Sequence, residues 1–143
     1  MKRAFSVVLC LVAASGCQTS DPTTSGSSVP MSPTNPTVET FTGTVQPQSK
    51  DVKPFTILLS GGTLAVTLTS AAPNIPMSLS VGSWDRPTST CTAIQNGTTI
   101  ATASGAPQLQ GQVNLGNYCI IVADALTGAQ TGPVVYSVTV SHY

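Results

Sequence analysis

Charge is what this sequence has least of. Asp, Glu, Lys and Arg make up 7% of its 143 residues, against about 25% in an average soluble domain. Five basic side chains across the whole chain form neither a stripe for nucleic acid nor a polybasic patch for anionic lipid. Histidine occurs once, at His142, which leaves general acid–base chemistry with almost no imidazole to use. No Gly-x-Ser-x-Gly, His-Glu-x-x-His or phosphate loop is present, so the common nucleophile, zinc and nucleotide arrangements have no anchor. The cysteines stand singly instead of in Cys-x-x-Cys pairs, which argues against zinc. Helical periodicity is also missing: outside the N-terminal region no window repeats apolar residues at i, i+3, i+4 and i+7.

What is present begins with an N-terminal address. Lys2 and Arg3 precede an apolar run from Ala4 to Ala14, and Ala14-Ser15-Gly16 follows as a small-residue exit. A spanning helix needs about 18 or more apolar residues, so this run is too short. Basic head, short apolar core and small-residue exit are the anatomy of a secretory signal peptide. The next residue is Cys17, and Ala14-Ser15-Gly16-Cys17 resembles the bacterial lipoprotein signal, the lipobox. The resemblance implies cleavage before Cys17, acylation of its thiol and new amino terminus, and membrane attachment, because two or more acyl chains hold a protein firmly. It also implies the outer membrane in a Gram-negative host, since Gln18 is not the Asp associated with inner-membrane retention. A plain secretory signal followed by a chance cysteine is the alternative.

The organisation is then 1–16 signal, 17–37 tether and 38–143 folded domain. The tether holds Pro22, Pro30, Pro33 and Pro36 among Ser, Thr, Gly and Asn. It has too little apolar surface to offset an ordering cost of about 1–2 kcal/mol per residue and should be disordered. Without the signal, Lys50, Lys53 and Arg86 face Asp21, Glu39, Asp51, Asp85 and Asp124, three against five and a net charge of −2.

From Val38 the texture becomes β. Short runs rich in Val, Ile, Leu and Thr are punctuated by Gly, Pro and Asn: VETFTGTV (38–45), PFTILLS (54–60) after a Lys-Asp-Val-Lys-Pro loop, TLAVTLTS (63–70) after a Gly61-Gly62 turn, and MSLSV (77–81). CTAI and TTIATA flank Asn96-Gly97, a hairpin-turn signal. NYCIIVAD (117–124) is apolar on both faces, as a covered central strand is, and VVYSVTVSHY (134–143) alternates again. Eight or nine such strands predict an all-β protein, a single antiparallel jelly-roll-like β-sandwich. Gly62-Thr63-Leu64, Met77 to Val81, Gly116-Asn117-Tyr118-Cys119 and Tyr136-Ser137-Val138-Thr139-Val140 run in the order of motifs in the bacterial pre-peptidase C-terminal domain, which the region 38–143 resembles. That resemblance implies a small sandwich of exported proteins. The Leu-rich strand of that family often carries Asp, and some members bind calcium, whereas Met77 to Val81 has no acid.

These residues point to binding and not to catalysis. His142 lies next to last, where a satisfied or exposed terminal histidine at a frayed, wet strand end is expected. Glu39, Asp51, Asp85 and Asp124 sit in different segments, and paired carboxylates would need a loop to join Asp85 with Asp124. The reading is no enzyme, no metal and no cofactor. Calcium at Asp85 or Asp124 is the only metal alternative, and the loops are acid-poor. Trp84, Asp85 and Arg86 form the candidate ligand site, a ring beside charged donors and acceptors. The competing and preferred role for Trp84 is to plug the open end of the sandwich. The function read from the chain is a non-catalytic envelope lipoprotein that presents a β-sandwich to a carbohydrate or an exported protein, with the membrane as its other partner and nucleic acid excluded. A structural or assembly accessory and a small exported hydrolase are the rivals. Finally, Cys10 leaves with the signal and Cys17 takes lipid, so Cys91 and Cys119 remain to pair in an oxidising compartment.

Overall fold

Alternation along the chain becomes the inner wall of two sheets. In strand β8 (Val134–His142), Val134, Tyr136, Val138, Val140 and His142 are buried while the residues between them are not. In the computed structural model, which describes residues 35–143, seven further strands precede it. They are β1 (Thr37–Val45), β2 (Lys50–Ile57), β3 (Gly62–Ala72), β4 (Met77–Asp85), β5 (Thr90–Ala101), β6 (Leu109–Val113) and β7 (Gly116–Asp124). The expected signal, Cys17 and the expected tether up to Thr34 lie outside the described residues.

Every pairing is antiparallel. One sheet has the order β1-β8-β3-β6 and the other β2-β7-β4-β5. This alternation of strands between two four-stranded sheets is the jelly roll, so the all-β sandwich expected from the sequence is the observed fold. Leu64, Val66, Leu68, Val138 and Val140 from the first sheet meet Ile57, Met77, Leu79, Ile120 and Val122 from the second. Each such side chain removed from water contributes about 1.5–3 kcal/mol, and together they hold the sheets face to face. β7 lies between β2 and β4; its inner face enters the core, and on its outer face Cys119 is buried while Ile121 and Ala123 are part-exposed.

The Gly61-Gly62 turn is present, with Gly61 at φ of 77°, and it carries the chain from one sheet to the other. Two local expectations are corrected. Asn96-Gly97 does not close a hairpin. Both flanking segments pair with β4, and the register shifts between Ser80 and Gly82, so residues 94–97 form a bulge within β5. A shared partner strand overrides the local turn preference there. The Lys50–Lys53 segment, read as loop, is strand paired to β7. It tolerates Pro54 because β2 is an edge, where a missing N–H costs little.

The same segment braces the two sheets. Tyr136 Oη donates to Asp51 Oδ2 at 2.9 Å, and Lys53 Nζ lies 3.2 Å from that oxygen. Gly43 leaves the room, since a Cβ there would overlap the Asp51 carboxylate and stand 2.8 Å from the Tyr136 hydroxyl. Burial first, and then the hydrogen bond and charge of Asp51, push the Tyr136 phenol above its ordinary range. A folded-state value above the unfolded one keeps the native state protonated while the unfolded chain ionises. Stability therefore declines as pH rises past about 10, the ordinary phenol value. Tyr136→Phe should cost about 1–2 kcal/mol at neutral pH and flatten that alkaline decline; denaturant titrations across pH measure both.

Candidate functional site

One end of the jelly roll carries three exposed leucines and the guanidinium of Arg86. The last rung of β2 with β7 joins Ile57 to Gly116, and the rung before it joins Thr56 to Asn117. Beyond them the β2–β3 and β6–β7 loops touch, through Leu115 N donating to Ser60 Oγ at 3.4 Å and Gly61 N to the Val113 carbonyl at 3.1 Å. These two uncharged loops expose Leu58 at 81%, Leu59 at 47% and Leu115 at 64%. β4 finishes at the same end, because Ser83 pairs with Tyr118.

Trp84 follows Ser83 and is half-buried. It shares a shallow depression of about 350 Å3 with Pro54, Phe55, Thr56 and Arg86. It does not pack into the core cluster, so it is not the plug expected from its position. Phe55 closes that end instead, with ring centroids 6.4 Å from Phe41, 5.9 Å from Tyr118 and 5.8 Å from His142. Period-2 alternation gives the reason. Val81 faces the core and Gly82 the outer face, so Trp84, two residues on, faces outward with Gly82.

Arg86 is laid across two strands. Its Nε donates to Asn117 Oδ1 at 2.9 Å and its Nη2 to Thr56 Oγ1 at 3.1 Å. Thr56 Oγ1 also donates to Asn117 Oδ1 at 3.2 Å. Two of the five guanidinium N–H groups are thus used, and the rest remain for a ligand beside the indole. Asp85 does not join them: its Oδ2 accepts from Thr88 Oγ1 within the β4–β5 turn. Of the three candidate residues, the structure brings two together and turns the third away. The sequence reading missed Thr56, Asn117 and the three leucines, because their roles depend on the β2–β7 register and on which loops meet.

The Cys91–Cys119 disulfide pins this surface. It joins β5 to β7 with Cα atoms 6.0 Å apart, and it lies over Gly82 of the intervening β4, where a Cβ would stand 2.7 Å from Cys91 Sγ and 3.0 Å from Cys119 Sγ. Cys91 pairs with Trp84 and Cys119 with Pro54, so the covalent link is in register with two walls of the depression.

The remaining polar groups are dispersed. His142 is not at a wet strand end: it is 4% exposed, and its Nε2 lies 3.0 Å from Glu39 Oε1. Asp51 braces the core, and Asp124 accepts the backbone N–H groups of Gln48 and Leu126. Asp85 and Asp124 occupy opposite ends of the sandwich, since Met77, at the far end of β4, pairs with Asp124. Along a nine-residue strand that separation is on the order of 25 Å, far beyond any pairing of carboxylates. Among the described residues no three His, Cys, Asp or Glu side chains come together.

No protein-family model matches the chain, and no curated protein matches it. A solved structure does. The fold is similar to that of PliG, a periplasmic lysozyme inhibitor of g-type lysozyme from Aeromonas hydrophila. The two share 20% identity with a TM-score of 0.51, over 74% of this chain and 86% of PliG. At that identity the likeness is one of fold.

Proposed function

We propose that this chain is a non-catalytic envelope lipoprotein, anchored through Cys17, whose jelly roll binds an exported protein with the Trp84–Arg86 end. The observation that carries the reading is the guanidinium of Arg86, held by Asn117 and Thr56, beside Trp84 and near three exposed leucines. Trp and Arg are the residues that dominate protein–protein hot spots, and an apolar surround excludes water from them. A carbohydrate is the weaker occupant, since one half-buried ring supplies little stacking area. Glu39 and His142 hold each other, and Asp51, Asp85 and Asp124 are each held by other groups in different parts of the fold, which supports a non-catalytic role. The partner class with support is a lysozyme, because PliG, of similar fold, inhibits one.

The test is a lysis assay. The mature chain should slow g-type lysozyme acting on peptidoglycan with one-to-one stoichiometry. Arg86→Ala or Trp84→Ala should each weaken this inhibition about 30-fold, as loss of a hot spot of about 2 kcal/mol does. Undiminished lysis at large molar excess overturns the lysozyme assignment, and a glycan-array signal lost in Trp84→Ala would support the carbohydrate reading instead. Anchoring is tested separately: Cys17→Ser should move the protein from the membrane to the soluble fraction, and unchanged fractionation contradicts acylation at Cys17.

A further inference from the structure

The two edges of this sandwich are built from opposite materials. On one side β1 and β2 carry Glu39, Lys50, Asp51, Lys53 and Pro54, the charges and proline that block pairing with a foreign strand. On the other side β5 and β6 hold no charged residue and no proline over Thr90–Ala101 and Leu109–Val113. An edge without such guards offers unpaired N–H and C=O groups to any extended chain.

Between these two strands lies a cleft of about 250 Å3. Leu64 and Val81 form its floor, Ile94 and Asn96 one wall, and Leu109, Gly111 and Val113 of β6 the other. The bulge makes the first wall, with Asn96 at φ of 60° and residues 94–97 displaced from the β4 ladder. Gly111 opens the second. It pairs with the buried Leu64 and so faces inward, and a Cβ there would meet nothing within 4 Å.

The lining selects the ligand. It has no charge to pair with an ionic group and no aromatic ring on which a sugar could stack. Its volume is below the roughly 300–1,000 Å3 of small-molecule pockets but suits a single apolar side chain. The free edge of β6 supplies the backbone donors and acceptors that an extended peptide requires. We propose that the β5–β6 edge binds an uncharged extended peptide segment of an exported protein, which adds as a strand beside β6 and seats one apolar side chain in the cleft. This site is separate from the Trp84–Arg86 end.

The probe is a short blocked peptide alternating Thr and Val around a central Leu, together with the same peptide N-methylated at alternate amides. Bound to the full mature chain, the first should slow amide exchange over Leu109–Val113, and the N-methylated peptide should not. Gly111→Leu fills open space, so the fold is kept while the cleft is lost, and binding should weaken about tenfold or more. Gln112→Lys, an edge charge of the kind found on β2, should weaken it as well. The proposal is overturned by any of three results: no protection at β6, equal protection by the N-methylated peptide, or unchanged binding to Gly111→Leu. Protection that rises with protein concentration in the absence of peptide makes a second copy the occupant and also overturns it. Because Trp84→Ala leaves this edge intact, failure here and failure of lysozyme inhibition are told apart.

Discussion

Replacing Cys91 and Cys119 together by serine should lower the stability of the folded domain by about 3.5 kcal/mol. The bridge spans a sequence separation of 28, and the chain-entropy model assigns a loop of that length a stabilisation of about 3.5 kcal/mol through restriction of the unfolded chain. That is a large fraction of the roughly 5–15 kcal/mol by which a domain is stable. Serine in place of Cys119 also puts a hydroxyl where the side chain is fully buried, which adds a desolvation penalty. Denaturant melts of the native and doubly substituted proteins give the difference, and a loss below about 1 kcal/mol would show that the bridge constrains little.

The second large effect is expected at Gly82. A Cβ at this position would stand 2.7 Å from both Cys91 Sγ and the Thr92 carbonyl oxygen, so Gly82→Val must displace the disulfide or open the β4–β5 ladder. The expected cost is about 3 kcal/mol or more, at the upper end of overpacking. Part of that clash is with the sulfurs, so the same substitution in the doubly serine-substituted protein should cost measurably less, by about 1 kcal/mol. Such non-additivity is what residues in direct contact show. Strict additivity would mean that the backbone carbonyl, and not the disulfide, fixes glycine at this site.

The strands were readable wherever a buried face imposes a period of two. VVYSVTV and TLAVTLTS announce their inner faces, and the central strand β7 announces itself by its apolar run. Edges were harder to read. β6 is LQGQV, with a glycine at its centre and two glutamines, so it lacks a β signature and is held as strand by β3. The start of β2 reads as a loop because Lys50, Asp51, Lys53 and Pro54 are residues a central strand excludes. An edge strand accommodates them, and two of them face a brace inside the sandwich. The bulge at Asn96-Gly97 was invisible for a related reason: turn chemistry is local, whereas the decision between hairpin and bulge rests on whether β4 pairs with both flanks.

The candidate site was half legible. Trp84 and Arg86 stand out in a chain with one tryptophan and few cations. Whether the indole plugs the core or faces outward follows from the phase of β4, which Gly82 sets by carrying the disulfide on the outer side. Asn117 and Thr56 become partners of Arg86 only once β2 and β7 are in register. His142 reads as a frayed terminus because it is next to last, but pairing of β1 with β8 extends to the Thr37–His142 rung and packs it against Phe55.

Isothermal titration of the mature protein with a g-type lysozyme, alongside Trp84→Ala and Arg86→Ala, tests the central claim most directly. The account predicts a one-to-one complex that each substitution weakens about 30-fold, as loss of a hot spot does. Lysozyme that fails to bind, or binds the two variants as tightly as the native chain, would contradict it.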